Sequence, residues 1–157
     1  MKRIISLLLC LVCMFGMTGC LSFLGMGNME PDKVVPKMQS LLDEAYPDKD
    51  MLQFKVEYDE GFQNYVVTCW SSEINDVIAG SVRLAYKNRN IEGASTVIQS
   101  WESTTESAKE MSKDIEERIK KYDKDAYVIL EFVNADNHED VLISISGGVV
   151  IENIMDI

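Results

Sequence analysis

The sequence predicts an α+β fold: an antiparallel sheet of about five strands, packed on one face by helices, in the order α-β-β-α-α-β-β-β. Two observations carry this. Apolar residues at three- and four-residue spacing fill 34–45 and most of 74–122, whereas alternating or continuous apolar runs fill 52–70 and 127–154. Strands grouped on either side of grouped helices favour antiparallel pairing over the regular strand-helix alternation of a parallel sheet.

The first helix places Val34, Val35, Met38, Leu41, Leu42 and Ala45 on one face, with Pro36 in its first turn and Pro47 as its stop. Leu52, Phe54, Val56 and Tyr58 then alternate with Gln53, Lys55 and Glu57, which marks a half-buried strand. Asp59-Glu60-Gly61 turns the chain into a hairpin partner from Phe62 to Trp70. That partner is apolar on both faces, so it belongs inside the sheet. A second helix, capped by Ser71 or Ser72, aligns Ile74, Val77, Ile78, Ser81, Val82 and Ala85 and ends near Asn88 to Asn90. Helical spacing continues through 91–122 with Ala94, Val97, Ile98, Trp101, Ala108, Met111, Ile115, Ile119 and Tyr122. A capping-box pattern at Ser103 and Glu106 leaves open whether this stretch is one helix or two. Tyr127 to Val133 and Val141 to Ile145 are strands, and Gly147-Gly148 is a hairpin signal leading into Val149 to Ile154.

The N-terminus has another character. Lys2 and Arg3 precede an apolar run from Ile4 to Phe15, and Met17-Thr18-Gly19-Cys20 follows. As a helix, Ile4 to Met17 would extend about 21 Å against a hydrocarbon core of about 30 Å, so a signal peptide fits better than a membrane span. The tetrad resembles the lipobox of bacterial lipoproteins, with Met17 where Leu is usual. That resemblance implies cleavage after residue 19, a diacylglycerol thioether on Cys20, palmitate-type acylation and anchorage on the extracytoplasmic face of the cell membrane. Cys10 and Cys13 follow bulky Leu9 and Val12, which do not suit the residue before a lipidated cysteine. The expected organisation is a signal peptide at 1–19, a lipidated tether at 20–31 and a single α+β domain at 32–157. About 137 residues follow Cys20, enough for one hydrophobic core.

The chain carries 15 basic and 26 acidic residues, a net charge of −11. Without Lys2 and Arg3 the balance becomes −13, since every acidic residue follows Cys20. Such a surface argues against nucleic acid and against anionic lipid headgroups, leaving lipid rather than charge to hold the protein at the membrane. After cleavage only Cys20 and Cys69 remain, and a thioether-linked Cys20 cannot pair. The domain is therefore expected to stand on its core without an internal disulfide.

His138 is the only histidine. With it alone, and without a cysteine cluster, a transition-metal centre has few ligands to draw on, and no phosphate-cradling glycine loop precedes a helix. The most ligand-like run is 134–140, where Asn134, Asp136 and Asp140 are weak candidates for calcium. Its sixth position is Glu139 instead of glycine and its twelfth is Ile145 instead of glutamate, so a polar hairpin loop is the better expectation. Cys69 lies in a strand without a cation nearby in sequence, the setting of a small buried hydrophobe. Trp70 and Trp101 are candidate ligand contacts, with core packing the commoner use of such residues. As part of a helical apolar stripe, Trp101 is expected to pack on the sheet near strand residues such as Phe54 or Val128. No catalytic residue and no cofactor is indicated. The leading expectation is a non-enzymatic, lipid-anchored envelope module binding an unidentified ligand. The alternatives are an acidic inhibitor or immunity-type protein meeting a basic protein partner, and a small hydrolase using His138.

Overall fold

The computed structural model describes residues 28–48 and 51–156, so the expected signal peptide, the expected lipidation site Cys20 and most of the expected tether lie outside the described residues. The elements are α1 (Pro31–Ala45), β1 (Gln53–Asp59), β2 (Asn64–Trp70), α2 (Asp76–Lys87), α3 (Ala94–Lys120), β3 (Val128–Val133), β4 (Val141–Ser146) and β5 (Val149–Asn153). A single turn of 3-10 helix, Ile154–Asp156, follows. Both the α+β class and the element order are those the sequence predicts.

The sheet runs β1-β2-β3-β4-β5. Its pairings are antiparallel except β2 with β3, which run parallel. Apolar spacing carries no information on strand direction, and the connection between β2 and β3 holds two helices, ample for the crossover a parallel pair needs. The interior position expected for β2 holds, since it lies between β1 and β3.

Among the described helices only α2 has a side-chain N-cap hydrogen bond. Pro31 occupies the first turn of α1, where a missing N–H costs nothing, and Pro36 lies a turn further in than the first-turn position its sequence suggests. The cap of α2 is Asn75, not Ser71 or Ser72: its Oδ1 accepts from the backbone N–H of Val77 at 3.2 Å and of Ile78 at 3.3 Å. With that start, small Ala79 and Ala85 turn inward beside Val82, while Val77 is 74% exposed. Helix α3 is one unbroken element of 27 residues. The hydroxyls of Thr104, Thr105 and Ser107 donate to the carbonyls four residues earlier, so Ser103 starts no new helix.

The helices cover one face of the sheet. Phe54, Cys69, Phe132, Ile143 and Asn153 form a row across all five strands, and Val56, Val67, Leu130 and Ile145 form the next; all are buried. Val34, Met38, Leu42, Met111, Ile115 and Ile119 close over them from α1 and α3. The opposite face carries Lys55, Thr68, Glu131, Ser144 and Glu152 in register, a polar row on the open side. Folded structure reaches back to Asn28, whose side chain bonds Asp125, while the Met29 N–H donates to the Tyr122 carbonyl at 2.7 Å.

Candidate functional site

Between α2 and the N-terminal half of α3 lies a cavity of about 230 Å³. Its floor is Ile74, Val82, Trp101 and Thr104, all buried. Ile78 and Val97 form the walls, and the exposed Ser81 and Thr96 stand at the mouth. Glu73 is the one acidic residue of the lining. Its Oε2 is buried and has no hydrogen-bond partner among the described residues.

Trp101 is fixed rather than free to swing. Its Nε1 donates to Asn153 Oδ1 at 3.0 Å, and that oxygen also accepts from the Met155 N–H at 3.1 Å. The indole is 3% exposed and gives one edge to the sheet end while its surface lines the cavity. The ring is buried against the sheet, as its place on the helical stripe predicts, but its hydrogen bond is made on β5. Asn153 shares a cross-sheet row with Phe54, at the opposite edge.

The segment carrying Glu73 and Ile74 is held from below by the run 134–140. Asn134, fully buried, donates through Nδ2 to Asp76 Oδ1 at 2.6 Å and to Asp140 Oδ2 at 3.1 Å, and its Oδ1 accepts from the Asp136 N–H. Asp136 Oδ2 accepts from the Asp76 N–H, and the Ala135 N–H donates to the Ile74 carbonyl at 3.0 Å. Asp140 pairs with Arg83 of α2 at 2.6 Å. Burial works to raise the Asp140 carboxyl, but hydrogen bonds from Arg83 and Asn134 and the Arg83 charge outweigh it and hold the carboxyl below its ordinary value. Asn134, Asp136 and Asp140 thus lock two loops together. Among the described residues no three acidic, histidine or cysteine side chains are grouped to hold a metal.

The other sequence candidates lie elsewhere. Trp70 points from β2 to the open face, opposite Trp101, and its ring meets that of His138 at 4.4 Å between centroids. Cys69 is a free, fully buried thiol, and burial pushes its pKa up, away from thiolate chemistry. On the open face, burial and then the Glu152 charge raise the Glu131 carboxyl. None of the described helices is long and apolar enough to cross a membrane.

Of the cavity, sequence reasoning finds Trp101 and misses Glu73. An acid between two serines and an isoleucine reads as ordinary loop, and only the folded segment shows that this residue borders an apolar space. Comparison of the chain with protein-family models, curated proteins and solved structures finds no match. Function therefore has to be argued from the cavity itself.

Proposed function

We propose that the protein is a lipid-anchored binding module on the extracytoplasmic face of the cell membrane, and that the space between α2 and α3 receives a small, largely apolar ligand. The observation that carries this is the cavity floored by Trp101: concave, with Ile78 and Val97 as walls and little polar surface exposed to it, the usual makeup of a small-molecule site. An apolar cavity of roughly 150 Å³ holds benzene, so this one suits a molecule of about nine non-hydrogen atoms. The lipobox-like tetrad ending in Cys20 supports the anchored placement.

The test is titration of the full-length protein carrying Trp70→Phe with 2-phenylethanol, following Trp101 emission. A saturable change that Val97→Phe removes by filling the cavity is the expected result. A linear response, or saturation unaffected by Val97→Phe, overturns the assignment. The acidic inhibitor reading rests on the net charge of −11 and is separated by its partner: a complex with a basic protein that weakens steeply with salt.

A further inference from the structure

Resting on the proposed anchored placement, we infer that the domain docks on the lipid surface through the sheet end that carries Phe62, Tyr127 and Val149, its aromatic rings entering the boundary between headgroups and acyl chains. Strand register gathers these residues. Asp59 pairs with Asn64, so Phe62 lies at the tip of the β1–β2 hairpin. Tyr65 pairs with Val128, which sets Tyr127 beside Asn64 at the start of β3. Leu130 pairs with Ile145 and Ser146 with Val149, which brings the β4–β5 hairpin to the same end. All three side chains are exposed, Phe62 at 84%, Val149 at 68% and Tyr127 at 52%. The tip that presents Phe62 is held in place, since Asp59 Oδ1 accepts from the Gly61 N–H at 2.8 Å and the Phe62 N–H at 3.2 Å. One exposed apolar residue is ordinary, whereas several gathered at one end of a domain, two of them aromatic, suit an interfacial contact.

The chain leaves the domain at this same end. Asn28 donates through Nδ2 to Asp125 Oδ2 at 2.7 Å and accepts at Oδ1 from the Lys124 N–H at 3.2 Å, just before Tyr127. It follows Cys20 by eight residues, a reach of at most about 29 Å. Helix α3, with 27 residues, is about 40 Å long. Its C-terminal end lies near Asn28, through the Met29 bond to Tyr122, and its N-terminal end lies near Ile91, whose carbonyl accepts from the Ala94 N–H. Standing the domain on the Ile91 end would lift Asn28 beyond the reach of an anchor at Cys20. Charge adds no attraction to an anionic leaflet, because Asp59, Glu60, Asp123 and Asp125 outnumber Lys121 and Lys124 here, so the contact rests on the apolar side chains. In this orientation the cavity beside the N-terminal half of α3 stays at the end away from the lipid, open to ligand from solution.

For the test, full-length protein carrying Trp70→Phe is extracted from membranes and reconstituted into phosphatidylcholine vesicles, with Phe62→Trp, Tyr127→Trp or Ile91→Trp added as a reporter at an exposed position. Emission of the Trp70→Phe parent, which retains only Trp101, is subtracted. Docked rings lie about 5–10 Å into the boundary, so the Phe62→Trp and Tyr127→Trp reporters should each lose about half of their emission to lipid brominated near the top of its acyl chains, and the Ile91→Trp reporter should lose none. Absence of loss from the Phe62→Trp reporter, or equal loss from the Ile91→Trp reporter, overturns the docking while the anchored placement stands. No loss, with emission that shifts to the blue as protein density in the vesicles rises, assigns this end to a second copy and overturns the lipid contact as well. Protein that fails to float with the vesicles overturns the anchored placement and the inference with it.

Discussion

Replacing Trp101 by alanine tests the core and the cavity at once. Truncation of a buried tryptophan or phenylalanine to alanine costs about 3–5 kcal/mol. The indole is 3% exposed, but part of its surface already faces the empty space between α2 and α3, so it has fewer partner atoms than a fully enclosed ring. That places the cost near the lower end, about 3–4 kcal/mol. The lost hydrogen bond adds little, because Asn153 Oδ1 keeps the Met155 N–H as a donor. With a urea m-value of about 2 kcal/mol per molar, the midpoint should fall by about 1.5–2 M. Trp101→Phe keeps one aromatic ring but loses three ring atoms, including the N–H, for an intermediate cost of about 1–3 kcal/mol. Urea melts followed by far-UV circular dichroism give both numbers. An unchanged midpoint for Trp101→Ala would refute the claim that this side chain holds the sheet end to α3.

Asn134→Ala removes a buried amide that bonds Asp76, Asp140 and the Asp136 N–H, and should lower stability by about 2–4 kcal/mol in urea melts while weakening 2-phenylethanol binding through the loosened Glu73 segment. The Asp140 carboxyl is held below its ordinary value of about 3.9, so the native state binds fewer protons there than the unfolded chain, and the stability it contributes is present above that pH and lost as pH falls through the lower folded value. Urea midpoints of wild type and Asp140→Asn should accordingly differ by an amount that is constant above about pH 5, equivalent to about 1–2 kcal/mol, and that shrinks toward more acid pH. Cys20→Ala should abolish labelling by radioactive palmitate and leave an uncleaved precursor on gels, an outcome that normal labelling of the variant would contradict.

The periodicity of the sequence makes the elements legible because each buries one face against the same core. Leu52 to Tyr58 alternates as β1 does, and Ala108, Met111, Ile115 and Ile119 mark the covered stripe of α3. The Gly147-Gly148 turn is equally readable: both residues have positive φ, 56° and 78°, as a two-residue hairpin with both central positions left-handed requires. What spacing does not carry is the inward rotation of α2. Val77 fits the apolar stripe by spacing, but Asn75 caps the helix and Ala79 takes the inner position, leaving Val77 in solvent. The direction of β3 is hidden for a related reason, since it depends on how α2 and α3 cross the sheet. The site is half legible. Trp101 stands out as an aromatic on the helical stripe, while the role of 134–140 as a clamp depends on contacts with Asp76 and Arg83, each more than fifty residues away in sequence.

The cavity is hard to explain as a packing defect. Empty volume costs about 24 cal/mol per Å³, so 230 Å³ left unfilled would forgo up to about 5.5 kcal/mol, an upper bound because the mouth at Ser81 and Thr96 is solvated. That sum is comparable with the whole stability of many domains, about 5–15 kcal/mol, and among the described residues no disulfide offsets it, since Cys69 is a free thiol. Larger aliphatic side chains at Ser100 or Thr104 would fill the space from α3, where helix propensity would favour leucine over either residue. The chain instead places small hydroxyl residues there, with Thr104 folded back on the Ser100 carbonyl, and commits a buried asparagine and an ion pair to clamping the adjoining loop. A wall kept small beside a loop kept rigid preserves an opening of fixed shape, which is what a binding site requires and what core stability alone would not select.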